Sequence, residues 1–238
     1  MASPLPSLPP SADPTWRYER KFEARGVPLA SIEMILRLHP VGFRTAFPDR
    51  DVNNVYLDQP DLRTFRAHVN GAMKRQKFHL RWYGAAFDAA RPVLEVKRKH
   101  GVVGTKTRFA MPGFRYDPEL DFEPLRHSVL EHIDEGGVAE FIAGASPVIF
   151  NRYRRRYLLS ADRRFRLTID TALRFERIRR AGFGALASFE ERGLAILELK
   201  YAADDDADAA RISARFPFRL GKYSKYLQGV SRLTQLPA

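Results

Sequence analysis

The stretch KRQKFHLRWY, residues 74–83, decides the fold class. Side chains two residues apart in a β-strand point to the same face. One face would carry Gln76, Phe78, Leu80 and Trp82, and the other Arg75, Lys77, His79 and Arg81. This alternation predicts a strand whose apolar face packs on a core while its other face is basic.

Several further segments show strand or helix patterns. Strands are predicted at residues 16–24, 52–58, 92–99, 148–159, 163–175, 185–191 and 194–201. Helices are predicted at residues 28–38 and 60–69, at 118–143 with a break near Gly136-Gly137, and within 209–233. Short connections such as 101–104 favour antiparallel hairpins over parallel crossovers. The predicted fold class is therefore α+β with many antiparallel strands.

Composition narrows the choice of partners. The 238 residues include 40 Lys and Arg, 28 Asp and Glu and no Cys, and the formal net charge is +12. This excess favours an anionic partner, and the lack of Cys excludes disulfides and thiolate metal sites. Residues 1–14, rich in Pro and Ser, are expected to form a flexible tail before one domain at 15–238. No signal peptide or apolar run long enough to span a membrane is evident, so a cytoplasmic location is expected.

Charge recurs at alternate positions on five more predicted strands. The sets are Glu19 and Lys21; Glu95, Lys97 and Lys99; Tyr153, Arg155 and Tyr157; Arg166, Thr168 and Asp170; and Glu198 and Lys200. A solvated sheet face explains one or two such sets, whereas six favour a barrel that encloses basic side chains suited to phosphate. Carboxylates in that interior make sense if a divalent cation lies between them and phosphate. The repeated Glu-x-Lys spacing therefore predicts metal ligands at Glu19, Glu95 and Glu198.

An ordered set of short motifs resembles one known family. The motifs are YERKF at 18–22, VYLD at 55–58, HLRWYG at 79–84, LEVKRK at 94–99, YRR at 153–155, RLTID at 166–170, LELK at 197–200 and YSKY at 223–226. In this order they resemble the VTC domain, the polyphosphate polymerase module of the vacuolar transporter chaperone. The resemblance covers residues 16–229, nearly the whole chain.

The resemblance implies a triphosphate tunnel of the CYTH-like superfamily, an antiparallel β-barrel flanked by helices. It implies phosphate contacts from Lys21, Arg81, Lys97, Arg155, Lys200 and Lys225. It also implies that Glu198 binds Mn²⁺ or Mg²⁺ and that Lys222 and Ser224 close one end of the tunnel. Arg155, Glu198 and Lys200 are the expected catalytic residues. Because no sensor domain precedes the motifs and no membrane span follows them, a stand-alone, bacterial-style form is expected.

Some positions call for separate treatment. The family's usual Arg-x-Arg reads His79-Leu80-Arg81 here, and a neutral His binds phosphate less well than Arg, although Lys77 could compensate. In the Arg-rich run at 152–156, Arg155 is expected to face inward. Trp82 and Tyr83 are expected to pack within the barrel rather than to stack on a base.

Three functions remain open from the sequence. The first is a polymerase that transfers the γ-phosphate of ATP to a phosphate or polyphosphate acceptor. The second is a hydrolase in which water replaces the acceptor and triphosphate is cleaved. The third is a non-enzymatic module that binds a polyanion, although no nucleic-acid motif is present and nucleic acid is not expected as a partner. The pattern does not indicate the oligomeric state.

Overall fold

The computed structural model describes residues 17–101, 103–180 and 182–234, and the predicted tail at 1–14 lies outside these ranges. The strands of the described residues are β1 Arg17–Arg25, β2 Arg44–Asp58, β3 Lys74–Tyr83, β4 Asp88–Ala89, β5 Val93–His100, β6 Val103–Ala110, β7 Phe114–Arg115, β8 Ser146–Leu159, β9 Arg166–Ile178, β10 Ala185–Glu191, β11 Leu194–Ala202 and β12 Arg219–Gly221. The helices are α1 Leu29–Arg37, α2 Arg63–Val69, α3 Phe122–Leu130, α4 Gly136–Gly144, α5 Asp206–Ala214 and α6 Lys225–Thr234. Of the helices in these ranges, none has the length and apolar character that a membrane span requires.

Ten of the strands form one large antiparallel sheet. Its order is β10-β9-β11-β1-β6-β5-β3-β2-β8, with β12 beside β1, and β8 also pairs with β9. The α+β class with antiparallel strands is therefore confirmed. Within the described residues the sheet is not closed into the predicted barrel, because β1 and β6 share one residue pair there, Arg17 with Gly104. Most of β1 pairs with β11 and β12 instead.

Helices cover the outer face of this sheet. Phe78, Leu80 and Trp82 of β3 point outward into a core that also contains residues of α3 and α4, and Phe78 stacks on Phe141 of α4. A second outer core joins β9 and β11 to α1 and α5. Because both outer cores bury apolar side chains, the alternate residues of the same strands must lie on the opposite face. We call that opposite face the inner face.

Helix α6 packs against the inner face at one end. Tyr226 stacks on Tyr56 of β2 with ring centroids 5.1 Å apart, and its hydroxyl donates to the buried Asp58 carboxylate. Asp58 also accepts from the backbone N–H groups of Thr64 and Phe65 in the first turn of α2. One carboxylate thus fixes β2, α2 and α6 together. This contact brings the start of α6, with Ser224 and Lys225, beside the strand charges.

Most predicted elements are confirmed with shifts of a few residues at their ends, and β3 and β10 match at both ends. Three differences are larger. Strand β2 begins at Arg44, because a bulged extension pairs with β8. Strand β6 was not predicted as a strand, although the hairpin turn before it was. The predicted helix at 118–143 is two helices, and it breaks at 131–135, before Gly136 rather than at it.

Candidate active site

Alternation brings charged side chains from seven strands onto the inner face, and one helix adds another. Nine are basic, Lys21, Lys77, Arg81, Lys97, Lys106, Arg108, Arg155, Lys200 and Lys225, and four are acidic, Glu19, Glu95, Asp170 and Glu198. We call these thirteen residues the charged cluster. Its bases outnumber its acids by five. Fixed cations in such excess attract an anion whose own charge is high.

Glu95 is the centre of one half of the cluster. Its carboxylate is fully buried and lies 3.4 Å from the side-chain nitrogens of Arg81 and Lys97 and 3.1 Å from that of Arg108. Burial alone would raise the pKa of Glu95, but the charges of Arg81 and Lys97 hold it well below the usual range. Glu95 is therefore ionised, and it holds three basic side chains from three strands in one place.

Glu198 is the centre of the other half. Its oxygens lie 3.2 Å from Lys21 Nζ, 3.0 Å from Lys200 Nζ and 3.4 Å from Arg155 Nη2. The Arg155 guanidinium also makes a two-point ion pair with Asp170, at 2.6 and 2.7 Å. Burial would raise the pKa of Glu198, but Lys200 and Lys21 lower it well below the usual range. The same ion pairs act on the pKa of Lys200. Burial would lower that pKa, but the charges of Glu198 and Glu19 raise it above its usual value.

The other predicted phosphate-binding residues differ in their surroundings. Lys77 Nζ donates to Ser224 Oγ at 2.7 Å, which ties β3 to the start of α6. Lys225 is buried and contacts Asp170, so it belongs to the Glu198 half. Lys222 is exposed, and within the described residues it makes no hydrogen bond or ion pair with the cluster.

His79 is buried between Glu95 and Tyr56 and has no access to solvent. Its ring is completely buried, its Nε2 is 3.4 Å from Glu95, and the ring of Tyr56 is 5.1 Å away. Burial lowers the pKa of His79 to about 3, so the imidazole is neutral. A buried neutral ring offers no charge to a phosphate. The predicted phosphate contact of His79 stays a prediction.

The carboxylates fit the predicted divalent metal in part. Glu19 and Glu198 approach the same two ammonium groups, at 3.0 and 3.2 Å from Lys21 and at 3.6 and 3.0 Å from Lys200. Mg²⁺ is commonly held by one or two carboxylates together with substrate phosphates, and this pair fits that donor set. Glu95 fits less well, because within the described residues none of its basic partners is shared with a second carboxylate. Among the described residues, no three His, Asp or Glu side chains are placed to hold one ion, so the three predicted ligands do not form a single site.

Three members of the cluster were not predicted as site residues. Lys106 and Arg108 lie on β6, and they face Glu95 at 4.0 and 3.1 Å. Their spacing of two, directly after the 101–104 turn, was the signal that could have revealed them. Asp170 was noted as a charged strand residue, but its pairing with Arg155 and Lys225 depends on contacts between distant segments.

The lysines around Glu95 predict a pH dependence. Burial lowers the pKa of Lys97 to about 8 and that of Lys106 to about 7, against the opposing attraction of Glu95. A lysine loses its positive charge as the pH rises through its pKa, so both should lose charge between about pH 7 and 9. The Kd for tripolyphosphate should therefore rise several-fold over this range, measured by calorimetry.

The matched variant for this prediction is Lys97→Arg, which keeps its charge at every pH used. It should flatten the profile. Titration of the phosphates cannot mimic the effect, since they gain negative charge as the pH rises. A Lys97→Arg profile as steep as that of the unaltered chain would contradict the assignment.

Solved structures of other proteins share the fold of this chain. A candidate adenylate cyclase from Vibrio parahaemolyticus superposes with a TM-score of 0.52 at 12% identity, covering 90% of this chain and 98% of that one. The PH1819 protein of Pyrococcus horikoshii OT3 gives 0.50 at 9% identity, covering 92% and 99%. A candidate adenylyl cyclase from Hippeastrum, described as having a dominant triphosphatase activity, gives 0.50 at 15% identity, covering 92% and 96%. At these identities the likeness concerns the fold alone.

The chain itself belongs to the VTC domain family, whose profile matches residues 17–234. The resemblance drawn from the short motifs is thereby confirmed. A comparison with curated proteins finds no match.

Proposed function

We propose that this VTC domain is a polyphosphate polymerase-like enzyme that transfers the γ-phosphate of ATP to a phosphate or polyphosphate acceptor on its inner face. The observation that carries the proposal is the charged cluster, in which nine basic and four acidic side chains from seven strands and one helix converge. Nucleic acid is a poorer ligand for this site, because four carboxylates would face its phosphate backbone.

The basic residues would act by position and by charge. An oxygen of the acceptor phosphate forms the new bond to the γ-phosphorus, and the bond to the bridging oxygen breaks, so that ADP leaves with the electron pair. The acceptor is the nucleophile, and no side-chain nucleophile is needed. Arg81, Lys97 and Arg108 in one half, and Lys21, Arg155 and Lys200 in the other, neutralise charge on the phosphate oxygens. We propose that substrate phosphates take over the contacts that these residues make with Glu95 and Glu198.

The proposed metal is Mn²⁺ or Mg²⁺, and Glu198 with Glu19 would hold it. When bound, such an ion neutralises phosphate oxygens and aligns the phosphate chain. Both carboxylates are ionised for this purpose, because Lys21 and Lys200 outweigh burial and lower the pKa of Glu19 to about 2.

A tunnel hydrolase is the second candidate. The fold of the Hippeastrum protein, for which a dominant triphosphatase activity is described, favours this alternative. The same residues would bind the phosphates, and water would replace the acceptor. The two reactions differ only in whether water is held or excluded at the γ-phosphorus.

One assay separates the candidates. The purified chain is incubated with ATP or tripolyphosphate and Mn²⁺ or Mg²⁺, and the products are resolved by gel electrophoresis and by free-phosphate determination. A polymerase gives long phosphate chains and ADP, whereas a hydrolase gives free phosphate. Binding without turnover of either compound would leave the non-enzymatic module as the answer.

A further inference from the structure

Aromatic rings surround an unpaired arginine at one end of the inner face. The Arg50 guanidinium lies 6.0 Å from the ring centre of Phe47, and 5.8 Å from those of Tyr83 and Tyr157. Phe47 and Tyr157 meet edge to face at 5.9 Å. We call these four residues the aromatic rim. They come from three strands, β2, β3 and β8, and no ion pair of Arg50 occurs within the described part of the chain.

The aromatic rim continues the rows of the charged cluster. Tyr83 follows Arg81 by two residues on β3, and Tyr157 follows Arg155 by two on β8, so each ring lies roughly 7 Å further along the same face. Tyr83 ends its strand: Gly84 then turns the chain with φ +94°, and its N–H donates to the Asp51 carbonyl oxygen at 3.1 Å. The rings are therefore held on the ends of strands, next to two arginines of the cluster.

Exposure distinguishes these rings from packing residues. Trp82 is 1% exposed in the outer core, as the sequence predicted, but Tyr83 and Phe47 are each 39% exposed. The expectation that Tyr83 packs within the barrel is wrong, because it points to the inner face at the end of its strand. Exposed rings beside a cation provide flat apolar surface and one positive charge, which suits a planar, electron-rich group.

We infer that the aromatic rim binds the nucleobase of a nucleoside triphosphate whose phosphates lie in the charged cluster. The inference rests on the proposed function and says how the phosphoryl donor of that reaction is recognised. A nucleotide carries its base about one ribose away from its phosphates, and the rim lies one strand repeat beyond Arg81 and Arg155. Ring stacking accepts any base, so the site favours nucleoside triphosphates over inorganic triphosphate without strong choice among bases.

The test compares two ligands in variants of the rim. Calorimetry gives the Kd of a non-hydrolysable ATP analogue and of tripolyphosphate, each with Mn²⁺, for the unaltered chain and for Tyr83→Ala and Tyr157→Leu. Each variant should weaken the analogue roughly tenfold more than it weakens tripolyphosphate, since only the analogue has a base to stack. Phe87→Ala is the matched control, because Phe87 is 61% exposed, lies four residues after Tyr83 and is not among the rings around Arg50.

Each other outcome has a separate meaning. If both ligands weaken equally in the variants, or neither does, the rim does not hold the base and the inference is overturned while the proposed function stands. If the unaltered chain binds neither compound, the proposed function fails and takes the inference with it. A melting curve for each variant shows whether the fold is kept, and two variants on different strands guard against a single misfolded protein.

Discussion

Arg155→Ala should both remove turnover and destabilise the chain. The residue is 9% exposed, and two of its guanidinium nitrogens donate to both oxygens of the fully buried Asp170. Without Arg155, Lys225 is the remaining ion-pair partner of Asp170 among the described residues. A buried charge that is left with no partner costs about 3–5 kcal/mol, and the loss here should be smaller because Lys225 stays beside Asp170. The free energy of unfolding, measured by urea denaturation, should fall by about 3 kcal/mol or less.

The loss of activity has a separate cause and a separate control. Arg155 reaches both Asp170 and Glu198, so it is placed to neutralise phosphate oxygens, and removal of one such donor typically lowers kcat by roughly 100-fold or more. Arg154→Ala is the matched control, since Arg154 is the next residue and pairs with Asp49 and Asp51 on the opposite side of the strand. Arg155→Lys keeps the charge but loses the two-point pairing, so its kcat should lie between those of Arg154→Ala and Arg155→Ala. Equal behaviour of Arg154→Ala and Arg155→Ala would place Arg155 outside the site.

The faces of the strands were predictable, because alternation depends only on the local backbone. Residues 74–83 divide as expected, with Phe78 and Leu80 outward and Lys77 and Arg81 inward. Helices cover the apolar face of the sheet, as burial of that face requires. The short ordered motifs were enough to identify the family. Each motif lies on a strand or at the start of α6, the elements that supply the charged cluster.

What alternation could not predict is which charges meet. Arg155 was expected to face inward, but its partner Asp170 depends on the register between β8 and β9. Glu95 illustrates the same limit, because its three basic neighbours come from β3, β5 and β6. Closure depends on register too: within the described residues β1 and β6 meet at one residue pair, Arg17 with Gly104, and the predicted barrel is not closed there. The end of β3 was predicted correctly, but the exposure of Tyr83 depends on which segments pack against that end, which a residue pattern does not show.

Glu198→Gln should separate the two roles that the structure allows for this carboxylate. As a counter-ion, Glu198 neutralises Lys21, Lys200 and Arg155 in the ligand-free protein. Its oxygens would then compete with phosphate for the same nitrogens. The variant should therefore bind tripolyphosphate more tightly than the unaltered chain when metal is removed with a chelator. This effect needs no catalysis and is measured by calorimetry.

As the proposed metal ligand, Glu198 has the opposite effect on turnover. A metal ion at a transferring phosphate contributes several kcal/mol, so its loss should lower kcat by roughly 100-fold or more. In the variant, added Mn²⁺ should no longer restore activity. Glu190→Gln is the control, because Glu190 is exposed on β10 and lies outside the charged cluster. Tighter metal-free binding together with lost manganese dependence would establish both roles. Tighter binding with full manganese-dependent turnover would leave Glu198 as a counter-ion alone, and the metal would then have to be assigned to other groups.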